Sequence, residues 1–278
     1  MELFINWNPN PIVFQLKIPE AIPLIGGDVL APRWYGMLFA LAIVVGYWIM
    51  GKVFKREKKD PEIMDNMLVY MVLGTIVGAR VGHCLFYEPA YYLSHPISIL
   101  KIWEGGLASH GAGIGILFSF YLFSRKYKMD FFWIMDRMAM LIALSGLFIR
   151  TGNLINSEIC GKPTDLSFGF IFEALGEDFA RHPSQLYEAA GYSVIFVILL
   201  LLYVYTNAGN LRGMLVGLGL VLVFGFRIAI EFTKEVQVDF EKGMILDMGQ
   251  WLSVPFVLGG IALIYYSLTN RKKDEKAI

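Results

Sequence analysis

Hydrophobic positions in this chain fall into long unbroken blocks, without the alternation of half-buried strands or the one-sided spacing of soluble helices. A helix needs about 20 mostly apolar residues to cross the hydrocarbon of a bilayer. Seven stretches meet that length: 34–53, 66–86, 107–124, 131–149, 189–206, 213–232 and 247–269. The pattern therefore predicts an all-α polytopic membrane protein, with seven transmembrane helices in a single integral membrane domain over 1–278. The third block is the most polar, carrying His110 and several glycines, and the second and sixth enclose Arg80 and Arg227.

The connections give an orientation. One alternate set carries the runs Lys52 to Lys59, Arg125 to Lys128 and Arg271 to Lys276, together with Arg212. The other, over a greater length, carries only the scattered Lys17, Arg33, Lys101, Arg150, Lys162, Arg181, Lys234 and Lys242. The richer set is expected in the cytoplasm, which puts the N-terminus outside and the C-terminus inside. The first twenty residues lack the basic start and apolar core of a signal peptide, so the first span is expected to serve as its own insertion signal. The outward segment 150–188 is far longer than an ordinary connection and contains the strand-like run FGFIF, which predicts a small extracytoplasmic head. Residues 87–106, with Pro89, Pro96 and Gly105-Gly106, suit interfacial or re-entrant backbone. No internal repeat of the kind found in many transporters is visible.

Composition agrees with a bilayer setting: 56% of the 278 residues are hydrophobic and only 17% charged, against about 25% charged in soluble domains. A net charge of zero offers no electrostatic footprint for nucleic acid. Cys84 and Cys160 match neither a metal spacing nor a disulfide framework, so no metal and no cofactor is expected.

Polar groups inside apolar blocks are the candidate chemistry, because a charge at mid-bilayer costs roughly 2.5 to 3.5 kcal/mol on insertion scales. Arg150 and Arg227 fall toward the outer leaflet in the expected topology, where two planar forks suit a phosphodiester. Arg227 and Glu231 stand four residues apart on one helix face, either as a structural ion pair or as working groups. Arg80 is a packing anchor or a further substrate-binding cation. Adjacent Asp136 and Arg137 suit an interface. His110 sits among glycines and alanines that allow close approach of a backbone or an acyl chain. The run Arg150-Thr-Gly-Asn153-Leu-Ile-Asn156-Ser-Glu158-Ile-Cys-Gly161 is the densest polar cluster, and its glycines permit a tight non-helical path. Ser184 is a candidate helix N-cap, with Glu188 one position late for a capping box.

Taken in order, several blocks resemble the bacterial prolipoprotein diacylglyceryl transferases: Arg33-Trp34-Tyr35-Gly36, Gly78-Ala79-Arg80, Gly105-Gly106 with His110-Gly111, the cluster at 150–161, Arg181 to Glu188, Arg227 with Glu231, and Met248-Gly249-Gln250. The resemblance implies a seven-span enzyme of the bacterial cytoplasmic (inner) membrane, with its active site toward the extracytoplasmic side. Such an enzyme moves the diacylglyceryl group of phosphatidylglycerol to the lipobox cysteine of prolipoprotein signal peptides and releases glycerol phosphate. It also implies importance for Tyr35, His110, Arg150, Asn153, Glu158, Gly161, Arg227 and Glu231. Four positions depart from the family pattern: Ile149 and Ser157 stand where glycine is usual, Val223 replaces a common tyrosine, and R-x-P-D is absent after Glu231.

For that reaction His110 is the candidate base, with Glu231 or Glu158 orienting groups. Arg150 and Arg227 would clamp the phosphate, and Tyr35, Asn153, Asn156, Gly161 and Arg80 complete the expected substrate site. A transporter or channel for an anionic solute uses the same arginines along a pathway, and an intramembrane hydrolase needs a Ser–His pair on different helices.

Overall fold

The computed structural model describes residues 4–19, 29–235 and 244–276; Lys242, counted above among the outward charges, lies outside them. The long helices are α1 (Trp34–Arg56), α2 (Pro61–Phe86), α4 (Ser109–Tyr127), α5 (Phe131–Ile155), α6 (Ser184–Tyr205), α7 (Met214–Glu231) and α8 (Met248–Lys276), with a short α3 (Pro89–Ser94) after α2. All but α4 are long and apolar enough to cross a membrane, which makes six such helices among the described residues. In α4 the serines, His110, three glycines and a basic last turn dilute a 19-residue helix below that level.

The chain divides into two units, Tyr47–Ile134 and the combination of Met1–Gly46 with Met135–Ile278. In the first, Asp60 caps α2 by accepting from the amide of Glu62 at 3.0 Å, and Pro61 fills the first helical position, where no amide is needed. Gly74, Gly78 and Gly82 of α2 meet Gly111 and Gly115 of α4 backbone to backbone, and Gly74 also makes room for the Ser119 side chain. A Cβ on Gly82 would lie 2.7 Å from the Gly111 Cα, and one on Gly78 would strike the Gly111 carbonyl. This is the small-residue packing of membrane helices, where close approach replaces the missing hydrophobic drive. Beyond α2, residues 87–106 form α3 and two 3-10 turns, Pro96–Leu100 and Ile102–Glu104.

In the second unit, Asp136 is 1% exposed and reaches from α5 to accept the amides of Gly213 and Val216, both at 2.9 Å, capping α7 from another helix. Arg137 donates to the Gly209 carbonyl at 2.9 Å and lies over the Tyr203 ring. These two residues are therefore buried tethers near the start of α5. Gly217 of α7 and Gly260 of α8 also meet closely, a Cβ on either lying 2.7 to 2.9 Å from the other's carbonyl, and Phe224 stacks on Phe256 at 4.3 Å.

The FGFIF run supplies strand β4 (Phe170–Phe172), pairing in parallel with β1 (Ile5–Trp7) so that Ile5 faces Phe170. β2 (Leu16–Lys17) and β3 (Val29–Leu30) form a second, antiparallel pair. Leu154, Phe170 and Phe172 make a small core with Trp7 and Cys160. The Trp7 indole donates to the Leu154 carbonyl at 2.8 Å, tying β1 to the end of α5.

Candidate active site

The helical backbone of α5 continues past Arg150 to Ile155, so Arg150 projects from within the helix and Gly152 is helical. Gly152 is needed for a different reason from the non-helical path expected. A Cβ there would lie 2.8 Å from the Tyr35 ring and 3.1 Å from its Cα, so the glycine lets α1 press against α5 and brings Tyr35 beside the polar cluster. The chain turns only after Ile155. Ser157 and Ile159 adopt left-handed φ of 54° and 58°, a region that costs an L-residue roughly 1 to 2 kcal/mol.

That turn folds Glu158 back. Its carboxylate accepts from Asn153 Nδ2 at 3.0 Å and from Asn156 Nδ2 at 3.2 Å, so three expected site residues form one network. Gln185, fully buried on α6, donates to the Glu158 carbonyl at 2.6 Å and to the Cys160 sulfur at 3.3 Å. Gly161 bridges to Lys234 in backbone pairing, and a Cβ on it would collide with the His182 carbonyl and the Ser184 hydroxyl. Ser184 does not cap its helix. α6 begins at Ser184 without a side-chain cap, and the hydroxyl instead binds the Thr233 carbonyl at 3.3 Å and hydroxyl at 3.1 Å.

A chain of ion pairs crosses the same region. Arg150 Nε lies 3.1 Å from Glu188, Glu188 lies 3.0 Å from Lys234 Nζ, and that ammonium lies 3.2 Å from Glu231. The carboxylate of Glu231 thus pairs with Lys234, not with Arg227 four residues before it. A Cβ on Gly249 would lie 3.0 Å from the carboxyl carbon of Glu231, tighter than ordinary contact, so the glycine leaves room for this carboxylate beside α8. Arg227 is half-buried and has no hydrogen bond or ion pair among the described residues. Tyr192, packed over Gly146, interacts electrostatically with Glu188, Arg150 and Arg227, with Arg150 at hydrogen-bonding reach of its phenol. Both candidate phosphate-binding cations thus act electrostatically on the same tyrosine.

Arg80 and His110 belong to the other unit. Arg80 is 3% exposed and spends its guanidinium on backbone: Nε donates to Ile99 O at 2.8 Å, Nη1 to Gly105 O at 2.6 Å and Gly106 O at 3.2 Å, and Nη2 to Ser98 O at 2.5 Å. This geometry makes it the organiser of residues 98–106. His110 is the second residue of α4, exposed, just after the Ala108 amide binds the Ala79 carbonyl at 3.0 Å.

Glu188, Lys234, Gln185 and Tyr192 are not among the site residues expected from sequence, where Glu188 and Gln185 stand only in the block 181–188 and at a helix start. Glu188 carried a usable signal, an acid within an apolar helix; Lys234 read only as one loop charge among others.

Within the connection, Arg181 forks onto Glu177 (Nε to Oε2 2.5 Å, Nη2 to Oε1 2.6 Å) and reaches Glu235 at 2.6 Å and the Gly161 carbonyl at 3.1 Å. Arg181 holds the Glu177 carboxyl below its usual range, chiefly by hydrogen bonding. Burial pushes the Cys160 thiol up. Among the described residues no group of three or more His, Cys, Asp or Glu is placed to hold a metal ion.

Comparison with known proteins accounts for nearly the whole chain. Residues 24–266 match the family model for prolipoprotein diacylglyceryl transferase. A phosphatidylglycerol–prolipoprotein diacylglyceryl transferase from Tolumonas auensis is 48% identical over 96% of this chain and 99% of its own length. Proteins of the same name from Chloroherpeton thalassium and Bacteroides fragilis are 43% and 41% identical, each covering at least 97% of both sequences. With the family model matched over most of the chain and relatives at this identity covering nearly all of it, the chain belongs to the prolipoprotein diacylglyceryl transferase family.

Proposed function

We propose that this chain transfers the diacylglyceryl group of phosphatidylglycerol to the lipobox cysteine thiol of prolipoproteins, the first step of bacterial lipoprotein maturation. The observation that carries the reading is the family match over residues 24–266, with relatives named for this transfer at 41–48% identity across nearly the whole chain; Arg227, without a hydrogen bond or ion pair among the described residues, is free to meet the phosphate. Family membership does not favour the transporter alternative.

In this reading the thiol sulfur attacks the glycerol carbon that bears the phosphate ester. The sulfur–carbon bond forms as the carbon–oxygen bond breaks, and glycerol phosphate departs with the bonding pair. The thiol proton passes to His110, since the thiolate is the effective nucleophile. Arg150 and Arg227 hold the phosphate and offset the charge that grows on it. Tyr35 and Asn153 position the head group, and Asn156 and Gly161 shape the wall around Glu158. Glu231 and Glu158 orient their neighbours, and Arg80 shapes the loop that leads to His110. The reaction is redox-neutral and calls for no cofactor.

The enzyme sits in the bacterial cytoplasmic (inner) membrane as a multi-pass protein. Helix α4 completes seven spans, the N-terminus is outside and the C-terminus cytoplasmic. The segment 150–188 forms the extracytoplasmic head, and the site opens to that side.

The test uses the full chain in phosphatidylglycerol vesicles with a lipobox peptide, scored by the peptide's mass gain. Arg150→Lys and Arg227→Lys are each expected to lose about 100-fold or more in rate, because an ammonium does not replace a planar fork. Near-normal transfer by either variant overturns phosphate clamping, and no mass gain with the unaltered chain overturns the activity.

A further inference from the structure

Glu188 and Lys234 link Arg150 to Glu231, and both are removed from water: Glu188 is 0% and Lys234 3% exposed. A buried charge is strongly disfavoured unless it is paired, so two such residues in mid-chain invite a reason. Lys234 is also fixed through its backbone, by pairing with Gly161, while the neighbouring Lys162 amide binds the Thr233 carbonyl at 2.9 Å. Its ammonium is thus held between the start of α6 and the end of α7.

From this geometry we infer that Glu188 and Lys234 are positioning residues for transfer: Glu188 holds Arg150 by Nε so that the end-on edge of the guanidinium faces the phosphate, and Lys234 fixes Glu188 and Glu231 in that arrangement. The inference rests on the phosphate-clamping reading above. A contact at Nε occupies one side of the fork and leaves its two terminal amino groups able to meet a second acceptor. Glu188 compensates Arg150 and Lys234 together. Removing Glu188 alone adds one uncompensated positive charge and frees Arg150 to rotate. Ground-state attraction for the lipid is kept, and the alignment needed for departure of the phosphate is lost.

The experiment measures kcat and KM for phosphatidylglycerol in the vesicle assay, with thermal unfolding in detergent as the control for folding. Glu188→Gln is expected to lower kcat on the order of 100-fold, the scale of a small misplacement of reacting groups, with KM unchanged or lower. Glu188→Asp restores part of the loss, Lys234→Arg keeps most of the activity, and Lys234→Met behaves as Glu188→Gln does. The double variant Glu188→Gln with Lys234→Met removes one charge of each sign and is expected to exceed Glu188→Gln alone, a non-additivity that marks direct coupling. A raised KM at unchanged kcat would make Glu188 a substrate-binding group and overturn the inference, as would strictly additive losses. Should Glu188→Gln fail to fold, the contrast between Lys234→Arg and Lys234→Met decides by the same split. If Arg150→Lys and Arg227→Lys lose transfer while Glu188→Gln keeps wild-type constants, only the positioning inference falls. If the lysine variants retain transfer, the phosphate clamp itself falls.

Discussion

Glu177 and Arg181 show how much one side chain organises in the connection between α5 and α6. Arg181 is bound through its backbone to Phe170 in both directions at 2.9 Å, so its side-chain contacts and the edge of β4 stand or fall together. Because the folded state holds the Glu177 carboxyl below its ordinary range, the ion pair contributes fully above the unfolded glutamate value of about 4.3 and is lost as the pH falls through the lower folded value. Amide-exchange protection at Phe170 and Arg181 is therefore expected to be level from neutral pH down to about 5 and to drop in the acid range below the glutamate value. Flat protection throughout that range would show that the fork does not hold the strand. Ser157 illustrates a different residue-scale point. The family pattern usually has glycine there, and the left-handed φ of 54° supplies the reason; Ile159, at 58°, meets the same demand with a β-branched side chain.

Among the elements, the α2–α4 seam is the one most exposed to a single change. Each glycine on one helix faces a backbone carbonyl or Cα of the other, so a side chain has no space unless the helices part. Gly78→Leu is expected to destabilise the chain by about 1 to 3 kcal/mol or more, as overpacking does, read as a lower unfolding temperature in detergent. It is also expected to abolish disulfide formation between cysteines placed at 74 and 119. Retention of both would mean that the seam yields easily. The glycines were visible in the sequence, where they served only to show that something approaches closely. Which helix approaches is a question of pairing between segments about 30 residues apart, and no local pattern encodes it.

At the scale of the molecule, seven apolar blocks became seven long helices with boundaries close to those expected, but only six stand out by apolar length among the described residues. The proposed orientation has a direct test in a chain with Cys84 and Cys160 replaced by alanine. A cysteine at Asp165 is expected to react with an impermeant maleimide on intact spheroplasts, and one at Lys58 only after the membrane is opened; the reverse pattern would invert the topology. The sequence alone determined the membrane class, the positions of the helices, the polar cluster at 150–161 and the family likeness, because block length, charge position and motif order are local properties of the chain. Tertiary structure alone decided the partners: Arg150 with Glu188, Glu231 with Lys234 in place of Arg227, Arg80 with four carbonyls, and Ser184 with Thr233. A buried charge or donor takes whichever complementary group the packed backbone brings within about 3 Å, and that group is set by how distant helices pack, not by spacing along one of them.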